Sequence, residues 1–299
     1  MKKQISALAA LVLLFASCLK VTEQPATGSS SSSTALQSAN EQTIVNAVNT
    51  TVSTEAALKT AIANAKAGDI ITISGTIKLT STLQLLNSGT SGSKINFTGG
   101  TLDCSGISSG WGVKCNGSYW NITNMVIKNA PDCGLVFQYG AYNYVYNVTT
   151  TGNKDSGIQI YNSSSNNYVL SCKSNENYDV ANGGENADGF ACKLSGGGGN
   201  KFESCTANHN SDDGWDLYGQ PSSVTITKCT ATNHGYGSNG DGNGFKLGSA
   251  GQNVPHTVTY CVANNNKAWG YDGNGNTGHI TITGSTASGN GSGSFTRIY

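Results

Sequence analysis

Asn210-Ser211-Asp212-Asp213-Gly214-Trp215-Asp216-Leu217 has a counterpart on either side of it. Upstream stands Glu185-Asn186-Ala187-Asp188-Gly189-Phe190, and downstream Gly242-Asn243-Gly244-Phe245-Lys246-Leu247. In each, a glycine precedes a large apolar residue. The same pair returns as Gly112-Val113, Gly134-Leu135, Gly157-Ile158 and Gly270-Tyr271, with Ser294-Phe295 as a last copy. The steps between successive apolar members are 22, 23, 32, 25, 30, 26 and 24 residues. A period of this size marks a repeat architecture, in which no single unit can bury its own apolar face and neighbours must stack.

A second column lies between the glycines: Cys172, Cys205, Cys229, Cys261 and Ser285, each within a strand-like run such as Val224-Thr225-Ile226-Thr227-Lys228-Cys229. Asparagines cluster just before the glycines, at Asn153, Asn210, Asn266 and Asn290. Short strands, tight Gly/Asn turns and the lack of an intervening helical pattern predict an all-β chain of stacked coils, a parallel β-helix. Like residues then align in ladders, with coils about 4.8 Å apart. Trp215 and Leu217, or Phe245 and Leu247, point inward by the two-residue alternation of a strand. Residues 54–67 carry Ala57, Leu58, Ala61, Ile62 and Ala65 at helical spacing, with Thr54 as N-cap. They predict a short N-terminal helix capping the open end of the core, followed by a first strand over 70–73. A β-propeller has a similar period, and leucine-rich and WD signatures are absent.

The start of the chain reads as an export signal over 1–18. Lys2 and Lys3 precede an apolar run from Ala7 to Phe15, too short to span a bilayer. Ala16-Ser17-Cys18 closes it, and the cysteine makes lipidation, hence a lipid-anchored cell-surface or periplasmic protein, an expectation beside plain secretion. Residues 19–50 are Ser-rich and read as a tether; residues 51–299 form one β-helix domain. The 299-residue chain has zero formal net charge, which offers nothing to nucleic acid, and a monomer is expected. Of nine cysteines, eight follow the signal. The recurrence of Cys172, Cys205, Cys229 and Cys261 once per coil predicts packing thiols in a ladder, with one or two adjacent disulfides, particularly among Cys104, Cys115 and Cys133, as the alternative.

Acid residues are scarce and uneven: of seventeen, eight fall between Glu176 and Asp216. Aligning the three quoted stretches on glycine puts Asp188, Asp213 and Asn243 in one column, and Ala191, Asp216 and Lys246 in another on the outward face. Asp212 sits in the turn beside them. Four carboxylates thus converge, and their repulsion calls for a hard cation with oxygen ligands. Ca²⁺ accepts that number and irregularity, whereas Mg²⁺ wants a tighter octahedron and Zn²⁺ nitrogen or sulfur. Solvated turn aspartates are the plain alternative. The gap from the cysteine column to the glycine is nine residues at Cys205, but 17 at Cys172 and 15 at Cys229. Both insertions fall at one corner, in the coils of Asp188 and Lys246, where they are expected to wall the acids on either side.

The stretches 186–194 (Asn-Ala-Asp-Gly-Phe-Ala-Cys-Lys-Leu), 210–217 and 242–248 resemble the core motifs of family 9 polysaccharide lyases. That resemblance implies a right-handed parallel β-helix, with Asp188, Asp212, Asp213 and Asp216 as ligands of a catalytic Ca²⁺ and Lys246 as the base. It implies β-elimination on a uronate-containing polymer: an acidic plant polysaccharide such as pectate, with rhamnogalacturonan as a further candidate. Lys193, expected to point outward near the site, is a candidate contact for a substrate carboxylate. Two other readings stand beside this one. A polygalacturonase-type glycoside hydrolase is echoed by Asn186-Ala187-Asp188-Gly189, Asp212-Asp213, His234-Gly235 and Arg297-Ile298; a non-catalytic glycan-binding β-helix is the other.

Overall fold

The computed structural model describes residues 47–299; the expected signal, Cys18 and nearly all of the tether lie outside the described residues. Strands of two to four residues stack into three parallel sheets that form the sides of a coil. One sheet has ten strands, from Asn49–Val52 through Ile70–Ile73 and Ile95–Thr98 to Thr281–Thr283; the other two have nine each. In each sheet a strand pairs with the strand one coil away, so every residue sits above its equivalent. The expected register is observed: Ile158 pairs with Phe190, Phe190 with Trp215, Trp215 with Phe245 and Phe245 with Tyr271.

That register builds the core. Phe190, Trp215, Phe245, Tyr271 and Phe295 stack ring on ring at centroid spacings of 4.7, 4.9, 4.9 and 5.0 Å. The strand spacing of a parallel sheet matches the stacking distance of aromatic rings, so an aromatic repeated once per coil stacks directly on its equivalent, buried from Phe190 to Tyr271. The glycine before each ring is fixed by crowding. A Cβ on Gly189 would lie 2.6 Å from the Ala207 Cβ and 2.8 Å from the Gly214 carbonyl oxygen.

The asparagines form a hydrogen-bonded ladder at one corner. Asn153 donates from its backbone N and its Nδ2 to Asn177 Oδ1 (3.1 and 2.9 Å), and Asn177 does the same to Asn210 Oδ1 (3.1 and 2.8 Å). Asn266 repeats the pattern onto Asn290. His234 takes the rung between: its Nδ1 accepts from Asn210 N at 3.2 Å and its own N donates to Asn266 Oδ1 at 3.1 Å. Each satisfied buried bond contributes about 1 kcal/mol. The cysteine column behaves likewise, Cys205 N donating to Cys229 Sγ and Cys229 N to Cys261 Sγ, both at 3.4 Å. All eight cysteines of the described residues are buried free thiols, which the repeat predicted for Cys172, Cys205, Cys229 and Cys261.

Two expectations need correction at the N-terminal end. The helix runs Glu55–Asn64, shorter than 54–67, because Asn87 Nδ2 collects the carbonyls of Ile62, Ala63 and Ala65 and the chain turns extended at Ala65. Thr54 is the N-cap, accepting from Ala57 N, and Leu58 and Ile62 enter the core. The first strand is Asn49–Val52, before the helix and two residues ahead of the expected boundary, paired in parallel with Ile70–Ile73. Asn-Thr-Thr-Val has one apolar residue, so only its partner strand reveals it.

Candidate active site

The three quoted stretches lie side by side in one nine-stranded sheet, as strands Phe190–Cys192, Trp215–Asp216 and Phe245–Lys246. Ala191, Asp216 and Lys246 are paired in register. Carboxylate oxygens of Asp188, Asp212 and Asp213 all lie within 4.8 Å of one another. These three acids and Asp216 are buried. A cavity of about 520 Å³ opens over them, lined by Asn186, Lys193, Asp212, Asp216, Asp241 and Lys246 among others.

Part of the donor capacity is already used. Asp188 accepts from Ser156 Oγ (3.0 Å) and Asp213 N (3.2 Å). Asp212 accepts from Asn186 N (2.9 Å) and Asp241 N (2.7 Å). Asp213 Oδ1 accepts from Asn243 N and Nδ2, whereas its Oδ2 is buried without a hydrogen-bond partner. Lys246 Nζ stands 3.4 Å from that oxygen, an ion pair that lacks hydrogen-bond geometry. An orphaned buried carboxylate oxygen beside two more acids, a ligand set made of carboxylate oxygens, fits a hard divalent cation.

Lys193 departs from its expected position. It is 7 % exposed, and its ammonium lies between Asp188 Oδ2 (2.8 Å) and Asp216 Oδ2 (3.0 Å). The two-residue alternation does point Lys193 outward, and Asp188 and Asp216 then hold its ammonium within the acid cluster. Asp216 is therefore tied to Lys193 rather than grouped with the other three. Burial pushes the carboxyls of Asp188, Asp213 and Asp212 above the usual range. For Asp216 burial is outweighed by Lys193 and then Lys246, which hold it below that range. Lys246 is raised above the ordinary lysine value: burial opposes this, but Asp213, Asp216 and Asp241 keep its proton in place.

The insertions do not form two walls. They meet above the short middle coil: Asn239 N donates to Gly183 O (3.1 Å), Asn239 Nδ2 to Asn182 O (2.8 Å) and Ser211 Oγ to Gly184 O (2.6 Å). Tyr236 stacks on His209 at 4.2 Å. The close approach rests on glycine, since a Cβ on Gly237 would sit 2.7 Å from Gly183 O and Gly184 Cα. One clasp thus bounds one side of the cavity. It also delivers Asp241, whose Oδ2 pairs with Lys246 Nζ at 2.8 Å. The sequence gives no sign of this residue's place, because a loop position has no register; Ser156 and Tyr218, whose ring lies 5.8 Å from Lys246 Nζ, were missed too. The histidine of the hydrolase echo is buried in the asparagine ladder, and its arginine pairs with Asp272.

Residues 38–298 match the model of the Pel9A-like right-handed β-helix region. The chain belongs to this family. It is 40% identical over 204 residues to pectate lyase L of Paenibacillus polymyxa, covering 62% of this chain and 45% of that one. It is 30% identical over 276 residues to pectate lyase PEL9 of Emericella nidulans, covering 77% and 67%. Among solved structures, pectate lyase Pel9A superposes with a TM-score of 0.71 at 31% identity, over 75% of this chain and 61% of that one. A rhamnogalacturonan lyase at 23% identity, TM-score 0.65, over 75% and 67%, shares the fold. The chain spans about half the length of the P. polymyxa relative, and its right-handed coil is the family's.

Proposed function

We propose that the chain is a calcium-dependent polysaccharide lyase that cleaves a uronate polymer, pectate first, by β-elimination with Lys246 as the base. The observation that carries this is the pairing of a cluster of buried carboxylates, one oxygen of Asp213 without a hydrogen-bond partner, with a lysine one strand away beside an open cavity. Asp188, Asp212 and Asp213 would hold the metal, with Asp216 joining if its oxygen is released from Lys193. The chemistry supplied by bound calcium is Lewis-acid stabilisation of the charge that builds on a uronate carboxylate when the adjacent C5 proton leaves.

Lys246 Nζ takes that proton, the C5–H pair becomes the C4–C5 double bond, and the C4–O bond breaks with its electrons going to the leaving sugar. The proton ends on that oxygen, so no water is consumed. Lys246 can accept it only as a neutral amine, and in this structure Asp213, Asp216 and Asp241 favour the ammonium. A divalent cation held by Asp213 would take that acid's charge away from Lys246 and add a positive charge beside it, both of which favour the neutral amine against the pull of Asp241. Lys193 supplies fixed positive charge, and contact with a substrate carboxylate would require it to leave Asp188 and Asp216. An exported chain, whether lipidated at Cys18 or secreted, fits a polymeric substrate.

The test is a polysaccharide panel read by ultraviolet absorbance, with and without chelator. Unsaturated product from polygalacturonate or rhamnogalacturonan that disappears on chelation is expected. Saturated reducing ends without absorbance would establish a hydrolase, and retention without cleavage a binding module.

A further inference from the structure

The next rung beyond Lys246 in its column is Asp272, paired in register with it and with Thr296 beyond. Asp272 is buried and carries Arg297. Arg297 Nε donates to Asp272 Oδ1 at 2.8 Å, and Nη2 donates to Oδ2. Asp272 Oδ1 also accepts from Asn274 N at 2.7 Å, and Asn274 lines the same cavity as Asp216 and Lys246. The carboxylate is thus an anchor fixed from two sides, and the guanidinium is what it presents. The Arg297 side chain is 47% exposed against 4% for Asp272.

A guanidinium has five N–H donors in one plane. Asp272 takes the Nε–Nη2 edge, which leaves the Nη1–Nη2 edge free and pre-oriented for a second carboxylate. Arg297 is the only arginine in the chain. Strand spacing puts Arg297 one to two rungs, roughly 5–10 Å, along the sheet from Lys246.

We propose that Arg297, held by Asp272, binds the carboxylate of a uronate unit flanking the one that reacts, and so selects for unesterified polymer. This rests on the lyase reading. Arg297 contributes to binding rather than to proton transfer, so its loss appears in KM and not in kcat.

The test has two arms. In the first, initial rates of wild type, Arg297→Gln and Arg297→Lys are compared on polygalacturonate and on pectins of rising methyl esterification. Arg297→Gln should raise KM about tenfold, equivalent to about 1.4 kcal/mol, with kcat within twofold. Lysine should rescue only in part, because it cannot form the paired contact. The KM ratio should fall towards one as carboxylates are esterified. A ratio that ignores esterification, or an unchanged KM, overturns the proposal. In the second arm, affinity electrophoresis through polygalacturonate with calcium uses a Lys246→Ala background to remove turnover. Retardation should weaken with Arg297→Gln; equal retardation, or none in the parent, overturns it. If wild type releases no unsaturated product while retardation still depends on Arg297, the lyase reading fails and the carboxylate site stands. Circular dichroism and melting of each variant confirm that the last coil is intact.

Discussion

At the scale of single residues, the site is a contest for protons and charge. Lys246 lies beside Asp213 and Asp241 and in register with Asp216. A free lysine titrates near about 10.4, and these acids push Lys246 higher. With Lys246 as the proposed base, its neutral amine is the active form, and the rate should rise with pH into the alkaline range once the proposed calcium site is filled. Lys246→Ala should retain fold and calcium binding but lose more than tenfold in rate, at least about 1.4 kcal/mol of barrier. Stopped assays beside calcium calorimetry check this. A variant keeping more than about a tenth of wild-type rate would assign proton removal elsewhere. Lys246→Arg should fail as well, because a guanidinium stays protonated. The columns that placed Lys246 and Asp216 were legible in the sequence. The position of Lys193 was not, because alternation gives the direction in which a side chain leaves the strand and not where a four-carbon stem is drawn afterwards.

At the scale of one structural element, the asparagine ladder contains a foreign rung. His234 does the backbone work of an asparagine, but its Nε2 is buried with no partner. Burial pushes its pKa down to about 3, against about 6.5 in the unfolded chain. Between these values the unfolded state binds the extra proton, so stability rises with pH there and is lost as pH falls below about 6.5. Replacing His234 by Asn should restore the Nδ2 bond to Asn266 Oδ1 that the other rungs make, and remove the titration. The melting temperature of His234→Asn relative to wild type should therefore climb as pH drops from 7 to 4.5. A gap that stays constant across this range would show that His234 does not carry the acid sensitivity. The Asn and Cys columns were readable in advance because each rung repeats a local pattern. That a histidine could stand in the ladder was not, since its ring nitrogen substitutes for an amide oxygen only in three dimensions.

At the scale of the whole molecule, the acid cluster and the core are separate. The core is a stack of rings and aliphatic columns inside the coil, whereas Asp216 lies on the outer face of one sheet and Asp188, Asp212 and Asp213 lie in the turns that lead into its strands. Chelation should therefore abolish turnover and leave the β-sheet circular dichroism unchanged. Global unfolding on chelation would show that the cation holds the fold. Sequence alone determined the coil, its register, the free-thiol ladder and the convergence of the acids, because a solenoid makes long-range contacts from a repeated local pattern: a residue's neighbour is its equivalent about one period away. Tertiary structure alone decided what breaks the period. The two insertions join into one clasp and bring Asp241 to Lys246, the strand Asn49–Val52 opens the stack, and Asp272 presents Arg297. Each depends on segments whose contacts follow no repeat, so their partners are set by packing in space and not by position along the chain.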